Sequence, residues 1–148
     1  VNLSPKGLES FAILDGTTVA YLDLVGSGIE TAAHLRDDGR IVIMFCAFEG
    51  PPRILRLHGR GDVVEPGDAG WEELLAKFPA HDGARCIIRA RLDRISDSCG
   101  YGVPRYRYEG ERDQLPKWVE RKGPDGLERY KADNNAQSID GLPGLART

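Results

Sequence analysis

The short connection after Phe48 constrains the fold of this chain more than any other feature. Arg40–Phe48 is a long apolar run whose length and Val and Ile content predict a buried strand. Only four residues, Glu49 and the turn signal Gly50-Pro51-Pro52, lie between it and Arg53–Glu65, where apolar and polar residues alternate. Parallel neighbours need a crossover of about a dozen residues or more. The two strands are therefore predicted to be antiparallel neighbours, which excludes a doubly wound parallel sheet.

Strand patterns outnumber helix patterns along the rest of the chain. Short strands are predicted at Val1–Leu3, Thr17–Leu24 and Arg85–Ile95, and the Arg53–Glu65 strand is expected to bend near its two glycines. Helices are predicted over 27–37, from Pro66 through Phe78, over 112–122 and over 127–136. This pattern predicts a mainly β fold, an antiparallel barrel with short peripheral helices and a helical C-terminal segment.

Composition excludes several classes of function. A chain of 148 residues fits one domain, and Lys and Arg are interleaved with Asp and Glu at a net charge of -3, which does not indicate nucleic-acid binding. No apolar run approaches the roughly 20 residues that a membrane helix needs. The three cysteines lack CxxC spacing, which favours a reducing, cytoplasmic compartment and argues against a disulfide scaffold or a zinc site.

The turn Gly26-Ser27-Gly28 joins a predicted strand to a predicted helix and allows two interpretations. Ser27 and Glu30 have the spacing of a capping box, in which they would only cap the helix. Alternatively, free N–H groups at the helix start would bind an anion, with Ser27, Gly28 and Thr31 holding a phosphate.

A second candidate lies at the N-terminus. Strand alternation would place Asn2 and Ser4 on one face, with Lys6 just beyond the break at Pro5. Lys6 would neutralise a phosphate as a point charge, or it would be a solvated lysine in a plain turn.

A third candidate is the basic strand that begins at Arg53. Arg56, His58 and Arg60 share one face of it and would repel one another unless carboxylates or a bound anion lie opposite. Asp62 and Glu65 are candidate carboxylates. No Ser or Cys stands near His58 in sequence to suggest a nucleophile pair, so the catalytic residues stay unassigned.

Taken in order, these segments resemble the pyridoxamine 5'-phosphate oxidase-like, FMN-binding split-barrel family. The resemblance rests on Asn2–Lys6, then Val19–Leu24, the Ser27–Leu35 helix and the Asp38-Gly39-Arg40 turn into an apolar strand. It covers residues 1–95, which would form the barrel core of a single domain over 1–148. The remainder, 96–148, with its Gly-rich loop and Ser138–Pro143, looks like that of an uncharacterised bacterial subgroup.

The resemblance implies a homodimer with FMN at its interface and a small-molecule substrate. It assigns cofactor contacts to Asn2, Ser4, Lys6, Ser27, Gly28, Thr31 and Arg53, and no metal. The family's basic helix start appears here as Ile29-Glu30-Thr31, and its early-strand arginine falls near Val1. Because relatives with this barrel use deazaflavin F420 or bind haem, the implied function is an FMN- or F420-dependent oxidoreductase. The alternative is a non-catalytic flavin- or haem-binding protein.

Overall fold

The computed structural model describes residues 2–146 and contains one antiparallel sheet of five strands in the order β1-β2-β5-β4-β3. The strands are β1 Phe11–Ile13, β2 Thr18–Leu24, β3 Arg40–Cys46, β4 Ile54–Val64 and β5 Ala84–Ser98. The helices are α1 Glu30–Asp37, α2 Trp71–Leu75 and α3 Gln114–Asn135, the last interrupted at Gly123.

The predicted hairpin of β3 and β4 is confirmed. The two strands run antiparallel with Ile43 opposite Leu57, and the Gly-Pro-Pro turn lies between them. The predicted bend is also present, as a register shift after His58. A side chain at Gly59 would come within 2.1 Å of the Arg91 carbonyl oxygen, so only glycine allows the two backbones to approach this closely.

The sheet curls into an open barrel. β1 and β3 are the two edge strands, and in a flat sheet four strand spacings, roughly 19 Å, would separate them. Instead the Phe11 ring on β1 packs edge-to-face on the Phe45 ring on β3, with centroids 5.1 Å apart. The two edges touch through side chains while the residues described form no backbone ladder between them. The predicted fold class, a mainly β split barrel with peripheral helices, is confirmed.

Helix α2 covers the outside of the sheet opposite the barrel interior. Trp71, Leu74 and Phe78 of the predicted amphipathic pattern are buried there against Leu22 and Ile87. The helix itself spans only Trp71–Leu75, since turns occupy the residues on either side of it.

Several predicted boundaries were wrong. Asn2 and Leu3 form no strand, and Val1 lies outside the described residues. The edge position is taken by β1, which is only three residues long and has no alternating pattern to reveal it. Helix α1 begins at Glu30 rather than Ser27, because its N-cap is Ile29 and no side chain caps it. The capping-box interpretation of Ser27 is therefore wrong.

Candidate functional site

A cleft of about 440 Å³ opens between the N-terminal segment, the end of β2 and the loop that leads into α1. Six of the seven predicted contact residues line it: Asn2, Ser4, Lys6, Ser27, Gly28 and Thr31. Asn2 joins the first segment to the helix, because its Nδ2 donates to Thr31 Oγ1 at 2.6 Å. Leu8, Leu24 and Leu115 line the side of the cleft that is shared with a smaller hollow of about 160 Å³.

Three charged residues, Lys6, Asp23 and Arg85, form what we call the cleft cluster. Asp23 Oδ1 accepts from Lys6 Nζ at 2.5 Å, and Asp23 Oδ2 accepts from Arg85 Nε at 2.8 Å. Asp23 and Arg85 are buried, whereas the Lys6 side chain is 27% exposed at the cleft surface. Burial acts to raise the pKa of the Asp23 carboxyl, but Arg85 and Lys6 together outweigh it and hold that pKa below its usual value. Asp23 therefore stays ionised and fixes both cations.

The Tyr21 ring packs against the cleft cluster, and its centroid lies 5.0 Å from Lys6 Nζ. Burial, together with the nearby Asp23 charge, raises the pKa of the Tyr21 phenol far above its usual value. The phenol is therefore neutral. The same two causes raise the pKa of the buried Cys86 thiol, whose Sγ lies 3.7 Å from Asp23 Oδ2. Neither group is a nucleophile near neutral pH.

The loop into α1 is held from behind by the C-terminal part of the chain. The Gly26 carbonyl accepts from Asn135 Nδ2 at 2.9 Å and from Arg85 Nη1 at 3.3 Å. Glu30 does not reach back to Ser27, since its Oε1 accepts from the Ile139 amide at 3.2 Å. The first-turn N–H groups of α1 have no partner within the helix, and no side chain of residues 2–146 caps them.

The charges that line the cleft balance. Lys6 and Arg85 contribute two positive charges, and Asp23 and Glu30 contribute two negative ones. A dianionic phosphate placed here would find hydrogen-bond donors, but no excess of cations among the described residues that line the cleft.

Arg53 does not join the other predicted contacts. It precedes β4 and is not among the residues that line the cleft. The guanidinium lies 3.8 Å from Asp97, and Gly100 packs against the Arg53 backbone.

The basic strand face predicted on β4 extends over three strands. We call it the arginine face, the outward side chains of β3, β4 and β5: Arg40, Arg56, His58, Arg60, Arg89, Arg91 and Arg94. Its members alternate with the inward apolar residues Leu57 and Ala90. The carboxylates expected to neutralise Arg56 and Arg60 are engaged elsewhere, because Asp62 pairs with Arg89 at 2.7 Å and Glu65 pairs with Arg36.

Sequence reasoning missed Asp23, Arg85 and Asn135 as parts of the site. A signal existed for the first, because an aspartate stands within the otherwise apolar β2, and a buried carboxylate requires a partner. Arg85, at the start of the apolar run of β5, is the corresponding cation. Asn135 lies 109 residues from Gly26, and no local pattern announces that contact.

The described residues offer no metal site, since no group of three or more His, Cys, Asp or Glu among them could hold a metal ion. All three cysteines are free. Within residues 2–146, no helix is long and apolar enough to cross a lipid bilayer.

Two comparisons with known proteins, by family model and by structure, do not identify a family. No protein-family model matches the chain. It is similar to HupZ of Group A Streptococcus and to a variant of that protein, at 18% identity over 60–61% of this chain and 70–73% of theirs, with TM-scores of 0.46. A TM-score this low carries no argument.

The sequence match is much stronger. A protein of Aspergillus flavus, described as the pyridoxamine 5'-phosphate oxidase family protein ustO, is 38% identical over 162 residues. The match covers 98% of this chain and 65% of that relative, so the chain spans less than two thirds of the relative's length. Because this relative is fungal, the bacterial subgroup stays a prediction. Over 98% of its length, the chain is thus similar to a protein of the pyridoxamine 5'-phosphate oxidase family, the family that its own sequence resembles.

Proposed function

We propose that the cleft binds FMN, or the deazaflavin F420 in its place, and that the protein is an oxidoreductase acting on a small molecule. The observation that carries this proposal is the composition of the cleft. Lysine, hydroxyl and helix-start N–H donors line one part of it, and leucines line another. Its volume of about 440 Å³ falls within the range of small-molecule sites, roughly 300–1,000 Å³. A ligand with a phosphate at one end and an apolar ring at the other matches this division.

The donor set fits the phosphate of such a ligand. Lys6 would supply the exposed charge, with Asp23 and Arg85 fixing its position from below. The hydroxyls of Ser4 and Ser27 line the same cleft and would donate hydrogen bonds. When bound, a flavin or deazaflavin supplies the two-electron redox chemistry itself. The protein then needs to bind and orient the ring and to exclude water.

The charge balance supports a homodimer. A dianionic phosphate calls for cations beyond the cleft cluster, and Arg53 does not line the cleft of its own chain. A second copy of the chain would have to present Arg53 at the site. We propose that the two copies complete each other's clefts in this way.

A second candidate function is non-catalytic flavin binding. It is favoured by the neutral Tyr21 phenol and by the Asp23 carboxylate, whose lowered pKa keeps it ionised, so neither group would exchange a proton with a substrate near neutral pH. A haem ligand finds less support, because none of the three histidines lines the cleft.

The test is the visible absorption spectrum of the purified protein, repeated after gel filtration with added FMN, F420 or haemin. A flavin or deazaflavin band that elutes with the protein supports the proposal, and its bleaching by NADPH or dithionite followed by substrate-dependent recovery supports the enzyme. No retained band with any of the three would overturn it. Sedimentation at micromolar concentration tests the dimer, which a monomer alone would contradict.

A further inference from the structure

We infer that Asn135, at the end of α3, is a positioning residue of the cleft. It aims the peptide bond between Gly26 and Ser27 so that the Ser27 N–H faces the ligand. The inference rests on the proposed cofactor site and assigns to it a residue that does not line the cleft.

The contact that carries this inference is a long-range hydrogen bond. Asn135 is fully buried, and its Nδ2 donates to the Gly26 carbonyl at 2.9 Å. Arg85 Nη1 donates to the same oxygen from the cleft cluster at 3.3 Å. Two donors from separate elements thus hold the Gly26 carbonyl toward the protein interior.

The direction of the Gly26 carbonyl also fixes the direction of the Ser27 N–H, because both belong to the same peptide bond. The described peptide bonds are all trans, and in a planar trans peptide the carbonyl and the following N–H point in opposite directions. A Gly26 carbonyl that points inward therefore turns the Ser27 N–H outward. Ser27 is exposed and lines the cleft, and its N–H donates to no other residue within 2–146.

The C-terminal tail locks Asn135 in place. The Asn135 carbonyl accepts from the Leu145 amide at 2.8 Å, and the Leu145 side chain is buried in the core beside Ile29. A side chain at Gly144 would come within 2.1 Å of the backbone carbonyl oxygen of Asn135, so glycine is required for this close packing. The tail therefore fixes the backbone of Asn135, from which the side chain reaches the Gly26 carbonyl.

A purely structural role accounts less well for this residue. Asn135 Oδ1 is buried and has no hydrogen-bond partner among the residues described. An unsatisfied buried oxygen costs free energy, so an apolar side chain would serve packing better. What the amide provides, and an apolar residue would not, is the donor to Gly26.

The experiment compares Asn135→Leu with Asn134→Leu. Asn134 is a matched control because its Nδ2 donates to the Tyr130 carbonyl within α3 and not to the cleft. We expect the dissociation constant for FMN to rise about tenfold in Asn135→Leu, as for the loss of one hydrogen bond to a charged group, and to stay unchanged in Asn134→Leu. Without cofactor, the Ser27 amide resonance in a nitrogen–proton correlation spectrum should shift in Asn135→Leu and stay in place in Asn134→Leu, because loss of the donor frees the peptide bond between Gly26 and Ser27 to turn.

A measurement on the unaltered protein tests the same inference if Asn135→Leu fails to fold. The Ser27 amide resonance in a nitrogen–proton correlation spectrum should shift on titration with FMN. An unshifted Ser27 amide with bound FMN, or wild-type affinity in a folded Asn135→Leu variant, would overturn the inference and leave the proposed function standing. Failure of the unaltered protein to bind FMN would instead overturn the proposed function and this inference with it.

Discussion

The cleft cluster and the arginine face both concentrate cations, but they hold them in different ways. In the cleft cluster, one buried carboxylate accepts from both Lys6 and Arg85 at 2.8 Å or less. On the arginine face, only Arg40 and Arg89 have a carboxylate within 4.0 Å among residues 2–146. Arg60 lies directly between Arg40 and Arg91 across three strands.

The difference shows why the number of basic residues does not locate an anion site. The arginines of this solvated face are screened by water and salt, and the partners of Arg40 and Arg89 are themselves exposed. Two cations held by a desolvated carboxylate are already oriented, so a ligand does not have to immobilise them. The cleft has fewer cations than the arginine face, but they are held in fixed positions, as the proposed phosphate site requires.

The variant with the largest expected effect on stability removes the buried carboxylate of Asp23. Asp23→Asn leaves Arg85 buried without a counter-ion, and such a change should lower the free energy of unfolding by about 3–5 kcal/mol. The matched control is Asp62→Asn, which frees the exposed Arg89 and should cost at most about 1 kcal/mol. Urea unfolding of the three proteins measures both effects. Equal losses in the two variants would show that the cleft cluster is no better organised than the arginine face.

Acid should remove the same stabilisation. The pKa of Asp23 is lower in the folded protein than in the unfolded chain, so its contribution is complete above about pH 4, the unfolded value, and is lost as pH falls through the folded value. The difference in unfolding free energy between the unaltered protein and Asp23→Asn should therefore be constant from pH 7 to pH 5 and shrink below pH 4. A difference that shrinks already between pH 7 and pH 5 would contradict a lowered pKa.

The strand β3, the hairpin to β4 and most of the cleft lining could be predicted from sequence, because each depends on local alternation, turn residues or family resemblance. The cleft cluster could not be predicted in full. Asp23 and Arg85 lie 62 residues apart, and only the pairing of β2 with β5 brings them together. The part of the arginine face on β4 was predicted, but its extension over β3 and β5 was not, because it depends on register across three strands.

A substitution at Lys6 tests whether the charge of the cleft cluster contributes to FMN binding. Lys6→Ala should weaken FMN binding by about 1–3 kcal/mol, the range for losing a hydrogen bond to a charged group. Asp23 keeps Arg85 as a partner in this variant, so the fold should survive. Lys77→Ala is the control, because Lys77 is exposed and does not line the cleft. Fluorescence titration gives both affinities. An unchanged affinity in Lys6→Ala would make Lys6 a structural partner of Asp23 and no more.

The smallest expected effect on the free energy of unfolding lies on the arginine face, where the sign of the change distinguishes paired from unpaired arginines. Arg91→Gln removes one of two arginines that flank Arg60, so the free energy of unfolding should stay the same or rise by up to about 0.5 kcal/mol. Arg89→Gln, two residues earlier on the same face, breaks the pair with Asp62 and should lower it by up to about 1 kcal/mol. Both effects should fade at about 1 M salt, where the screening length falls to roughly 3 Å. If Arg91→Gln instead destabilises the protein by more than Arg89→Gln does, this arginine has an organised partner, and the contrast with the cleft cluster does not hold.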